Sequence, residues 1–127
     1  MTDAGSGVLP DLAPADRRPA GMCTGPGHMV VYGNPAFVAA YGRRALGLPA
    51  REAMLDIPAE GFAVLDAVYR DGRPLARWIR RNGDDWRLTA TPRRDPESGL
   101  TYGVGFHLRR RSDLPIVTHA DTTRGST

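Results

Sequence analysis

Lysine is missing from this sequence: all 17 basic residues are arginine. Set against 14 acidic residues they leave a formal charge of +3. That excess is too small to argue for nucleic acid as a partner, and none is expected. Cysteine is almost missing. The single Cys23 rules out an internal disulfide and suits a reducing compartment. No apolar run approaches the roughly 20 residues that a membrane span needs. The first residues also lack the basic start and apolar stretch of a signal peptide. These absences point to a cytoplasmic protein with no membrane partner. His28, His107 and His119 are scattered, and one cysteine cannot complete a zinc set with them, so no metal is expected. There is no Gly-x-Ser-x-Gly elbow and no phosphate loop. Asp66, Asp71, Asp84, Asp85 and Glu97 are carboxylates that fall mostly in predicted turns. No catalytic residue is assigned, and an enzyme is not expected.

What is present is enough for one domain: 127 residues, of which 41% are apolar, can bury a core without staples. Residues 1–18, rich in Pro, Gly, Ala and Asp, read as a loose N-terminal segment with a helical turn near Val8 to Leu12. Residues 113–127 read as a polar C-terminal tail, which leaves 19–112 as the folded domain. PAGMCT and HMVVYG read as strands around a Gly25-Pro26-Gly27 turn. Asn34-Pro35 is a helix start, because Asn caps and Pro needs no N–H partner at the first helical position. A longer helix spans Glu60 to Arg70, where Phe62, Leu65, Val68 and Tyr69 recur at three- and four-residue spacing. LARWIRR, DWRLTATP and LTYGVGFHLR then read as three hairpin-linked strands. In the last, Leu100, Tyr102, Val104, Phe106 and Leu108 share one face. Strands, helices, then strands give an α+β fold, an antiparallel sheet with helices over one face.

The ordered set of motifs resembles the PAS family. Y-G-N-P-A-F at 32–37 is similar to the family's strand-to-helix entry, and Gly47 to a common family glycine. V-Y-R-D-G-R-P at 68–74 resembles the end of its long helix, and W-R-L-T-A-T-P followed by Y-G-V-G-F resembles its last hairpin. The resemblance implies a five-stranded sheet in the order 2-1-5-4-3 and a role in sensing small molecules, light or redox state, or in dimerisation. It also speaks against two cofactors. The long helix lacks the histidine that haem-binding relatives present. Residues 51–60 lack the cysteine of flavin-photoadduct relatives. The cofactor is therefore left unknown. After the last strand comes Arg109-Arg110-Arg111-Ser112 in place of the usual effector junction. Output is thus expected to pass through a homodimer or a separate signalling protein. The reading is a stand-alone sensing and interaction module. The alternatives are a binding domain for a small apolar metabolite or a small α+β enzyme.

Three candidate regions follow. Phe37, Tyr41, Phe62, Leu65, Tyr69, Leu88, Tyr102, Val104 and Phe106 are candidate linings of an internal pocket. Thr89, Thr91, Gly103, Gly105 and His107 form the opposite sheet face, where small side chains would let a partner approach; Val8, Leu9 and Leu12 or a second copy are candidate covers. Arg80-Arg81 and Arg109 to Arg111 would meet in a basic rim, tempered by Asp84 and Asp85. Cys23 reads as a buried small residue on the first strand rather than a redox sensor.

Overall fold

The computed structural model describes residues 18–114. The expected turn at Val8 to Leu12, the proposed cover by Val8, Leu9 and Leu12, His119 and nearly all of the C-terminal tail lie outside them. Strands β1 (Ala20–Thr24) and β2 (Met29–Gly33) pair antiparallel. Their connection is tight: Gly25 takes φ +74, and His28 also enters the left-handed region at φ +54. The chain then enters helix α1 (Pro35–Tyr41), where Asn34 Oδ1 accepts from the Phe37 amide at 2.9 Å. Asn34 does more than cap. Its Oδ1 also accepts from Ala20 N at 3.0 Å, and its Nδ2 donates to the Arg18 carbonyl at 2.8 Å. One side chain thus ties the helix start to the head of β1.

A short 3-10 turn (Arg43–Ala45) and helix α2 (Ala50–Ala53) lead to the long helix α3 (Ala59–Asp71). Gly72 ends α3 in the left-handed conformation at φ +69, with its amide bonded to the Val68 carbonyl at 2.9 Å. Strands β3 (Leu75–Arg81), β4 (Asp84–Arg94) and β5 (Thr101–Arg110) complete one antiparallel sheet in the order β2-β1-β5-β4-β3. The fold class and strand order expected from the sequence are those observed.

The helices cover one face. Ile79, Leu88, Ala90, Val104, Phe106 and Leu108 point from the sheet into a core shared with Phe37, Phe62, Leu65 and Val68. Strand alternation predicted the inward Val104, Phe106 and Leu108 of β5, with two exceptions in the same run. Tyr102, a candidate pocket residue, is 43% exposed. The register runs Arg93↔Gly103 and then Arg94↔Thr101, so a bulge leaves Tyr102 as the unmatched residue and turns it out of the core's alternation. It stacks instead beneath the Arg93 guanidinium, 4.8 Å from the ring centre. Leu100 precedes β5 in the connecting loop and is exposed.

Candidate functional site

One small apolar cavity lies between helices and sheet among the described residues. The enclosed apolar cavity among Met54, Ile57, Gly61, Leu65, Leu88 and Phe106 measures about 10 Å³, roughly the room of one water-sized probe. Of the candidate lining residues, Phe37, Phe62, Leu65, Leu88, Val104 and Phe106 are buried and packed on one another. Tyr41 and Tyr69 are partly buried against them. The residues brought together belong to one hydrophobic core, with the small cavity beside Leu65, Leu88 and Phe106.

At the β3–β4 end of that core lies a polar cluster that the sequence reading did not anticipate. Arg81 is only 6% exposed. Its Nε donates to Tyr41 Oη at 3.1 Å and lies 3.1 Å from Asp56 Oδ2. Tyr41 Oη donates to Asp56 Oδ1 at 2.7 Å, and Asn82 Nδ2 donates to Asp56 Oδ2 at 3.1 Å. The guanidinium also sits 4.3 Å from the Trp86 ring centre. Burial, reinforced by the bond to Asp56, pushes the Tyr41 hydroxyl well above its ordinary pKa, against the opposing pull of Arg81. Tyr41 is therefore a neutral donor, and the cluster clamps the hairpin onto the helices. The signal was available: Arg81 shares strand parity with buried Ile79.

A second buried polar group closes the other side. His28 is 1% exposed, and its Nε2 donates to Asp66 Oδ1 at 2.7 Å. Arg51 Nη2 donates to the other oxygen of Asp66 at 2.9 Å. The β1–β2 turn is thereby fastened to α3 and α2. Cys23 is fully buried, and burial pushes its thiol pKa up to about 12, which makes it a poor nucleophile.

On the opposite face no helix covers the sheet among the described residues. The register arranges side chains in rows across the strands. Tyr32, Met22, Gly105 and Thr91 form one row, and Ala20, His107, Thr89 and Ala76 the next. Tyr32 and Met22 are 47% and 39% exposed. Among the described residues nothing requires glycine at 105: an added Cβ would meet Thr91 Oγ1 at 3.6 Å and Gly21 O at 3.9 Å, ordinary contact distances. Gly103, also expected to open this face, is buried, because its backbone packs against the Cys23 carbonyl and Arg93 reaches past it to donate to that carbonyl at 3.0 Å. The pKa of His107 is lowered, first by burial and then by the nearby charges of Arg18, Arg109 and Arg87.

No family model matches this sequence, and neither does any curated protein. Solved structures do. The sensory box sensor histidine kinase of Vibrio cholerae superposes with a TM-score of 0.62 at 11% identity, over 78% of this chain and 83% of that chain. The PAS domain of the histidine kinase ThkA superposes with a TM-score of 0.56 at 15% identity, over 72% of this chain and 98% of that one. The chain has a PAS fold. VqmA of Vibrio cholerae, solved with ligand and DNA, matches with a TM-score of 0.63 at 19% identity, over 89% of this chain and 55% of that chain. A VqmA dimer is also among the matching structures.

Within this PAS fold the expected basic rim is largely neutralised. Arg80 and Arg111 both face Asp85, at 2.9 and 3.6 Å, while Arg110 faces Asp84 at 3.8 Å and Asp113 at 3.7 Å. Arg81 leaves the rim for the core, and Arg109 lies on the outer face. No described helix is long and apolar enough to cross a membrane.

Proposed function

We propose that the chain is a cytoplasmic, non-enzymatic sensing and interaction module that signals through its outer sheet face, to a second copy or to a separate signalling protein. The observation that carries this reading is the row of Tyr32, Met22, Gly105 and Thr91. It combines exposed apolar side chains with a strand glycine that nothing among the described residues demands. Glycine within a strand costs roughly 0.5–1 kcal/mol, so its presence there calls for a reason outside the fold. Thr89 and His107 lie in the next row of the same face. The matching sensor structures support a signalling role, and the VqmA dimer supports self-association as one route.

Binding of a small apolar metabolite is the second reading, supported by the ligand held in the VqmA complex. It requires the small cavity beside Leu65, Leu88 and Phe106, about 10 Å³, to widen. Light scattering and native mass spectrometry test both readings on the full chain. The expected result is a defined assembly, or capture of a defined partner, that Gly105→Arg abolishes, with a native mass free of small molecule and a colourless protein. A stoichiometric ligand in a monomer indifferent to Gly105→Arg would overturn the interaction reading. A Soret or flavin absorption band would do the same for the expectation that the protein is colourless.

A further inference from the structure

Beside these two rows of the outer face runs a third of different chemistry. Arg109 on β5 pairs with Arg87 on β4, which pairs with Trp78 on β3. Arg18 extends the row past β5: the next residue, Pro19, accepts at its carbonyl from the Leu108 amide, so the β1–β5 register continues to this point. Neighbouring strands lie about 4.8 Å apart, so three guanidinium-bearing residues stand at consecutive strand spacings. Like charges placed directly across a strand pair are destabilising. Among the described residues, none of the three forms an ion pair. The Nε of Arg109 is buried without a hydrogen-bond partner. The arginines at the rim, in contrast, have found carboxylates.

The arrangement has a matching shape. Rows two residues apart along a strand are about 6.8 Å apart, so the arginine row and the Tyr32–Met22 row lie about 13 Å apart, close to the 10–12 Å width of a helix. Between them runs the row Ala20, His107, Thr89 and Ala76, whose side chains are small except for the exposed His107. A helix lying there crosses the strands, and its i, i+3/i+4 and i+7 positions recur about every 5–6 Å, nearly in step with the strands beneath. We propose that this face docks an amphipathic helix of a partner protein, with a stripe of carboxylates on the Arg18–Arg109–Arg87 row and apolar side chains toward Met22 and Tyr32. The inference rests on the outer face being the interaction surface. It selects a separate partner over a second copy by charge pattern. Asp3, Asp11 and Asp16 are interrupted by Pro10 and Pro14 and do not fall at three- or four-residue spacing. In α3 the acids Glu60, Asp66 and Asp71 are likewise out of step, with Asp66 and Asp71 already paired. Nucleic acid suits the face less well, because Asp84 and Asp85 flank the row and its other border is apolar.

The test uses the full chain and two synthetic amphipathic helical peptides of leucine and alanine, one with a glutamate stripe and one with glutamines in its place. Binding is read by anisotropy at two salt concentrations. Salt-sensitive binding of the glutamate peptide is expected, weakened about tenfold or more by Arg87→Glu or Arg109→Glu, with the glutamine peptide binding at least tenfold more weakly. Circular dichroism melts confirm that the variants are folded. Equal binding of both peptides, lost in Gly105→Arg, would overturn the arginine row while leaving the interaction face intact. Binding of neither, with self-association also untouched by Gly105→Arg, would overturn both. Tighter binding of a single-stranded oligonucleotide than of the glutamate peptide would assign the row to phosphates and overturn the proposal.

Discussion

Arg80 and Arg81 are consecutive in β3, and their surroundings differ as much as the two faces of the sheet. Arg80 lies on the outer side, salt-bridged to Asp85 at 2.9 Å with both partners in water. Arg81 points inward, 6% exposed, bound to Tyr41 and Asp56 and stacked on Trp86. The inner face is a finished structure, with aromatics packed and polar groups largely paired. The outer face carries exposed Met22, Tyr32 and Trp78, a glycine that no described residue requires and a row of arginines that form no ion pair among the described residues. A single strand therefore serves stability on one side and, under the proposed function, recognition on the other, and residue type alone does not reveal which.

The largest effect that tests this contrast comes from the core aromatics. Phe62→Ala and Phe106→Ala are expected to lose roughly 3–5 kcal/mol each in denaturant melts, the range for a buried aromatic. Parent-like melts from both would mean that the inner face is not the core. The arginine pair sharpens the comparison at fixed chemistry. Arg81→Ala leaves Asp56 and Tyr41 partly buried without their cation and is expected to cost roughly 3 kcal/mol. Arg80→Ala removes a solvated pair worth about 0–1 kcal/mol. Equal costs in the same melts would erase the distinction between the faces. Asn34→Ala is expected to fall between them, at about 1–2 kcal/mol, because the side chain caps α1 and also holds Ala20 and Arg18. A melt unchanged from the parent would show these three bonds to be replaceable by water.

These residues also show what the sequence made legible. Asn34 before Pro35 announces a helix start by local chemistry, and the structure adds only the long-range bonds. The alternation of Leu88 with Ala90 and of Val104 with Phe106 gave the inner face directly, since period two is a property of any strand. The same rule was available for Arg81, but two adjacent arginines read as one charged cluster hid the parity of the second. Tyr102 obeyed the alternation in sequence and broke it in space, because a bulge is set by the partner strand. The Arg18–Arg109–Arg87 row was not legible for a related reason. Its members are far apart along the chain, and only the cross-strand register brings them into line. His28 read as the head of a strand, whereas it closes the preceding turn in a left-handed conformation uncommon outside glycine, though histidine adopts it more readily than most side chains.

The smallest expected effect lies at the margin of the inner layer, where His28 is buried beneath a half-exposed Asp66. Burial raises the Asp66 pKa. Hydrogen bonds from His28 and Arg51, with the charge of Arg51, outweigh it and hold the carboxyl below its ordinary value of 3.8. A carboxylate depressed on folding binds fewer protons in the native state than in the unfolded chain. Its contribution to stability is therefore complete above the unfolded value and is lost as pH falls through the lower folded value. Asp66→Asn should accordingly be less stable than the parent at neutral pH, and the gap should close on acidification below 3.8. With Asp66 44% exposed on its side chain, solvent screens the pair, and the gap should stay near the 0–1 kcal/mol of exposed ion pairs. Urea melts of both proteins across that pH range measure it. A gap that persists unchanged in acid would assign the cost to lost packing around His28 instead of to the ionised carboxylate. The outer face offers the control. Asp85→Asn, between two solvated arginines, should show no larger gap at any pH, and a larger one would mean that the rim, not the turn beneath His28, carries the acid sensitivity.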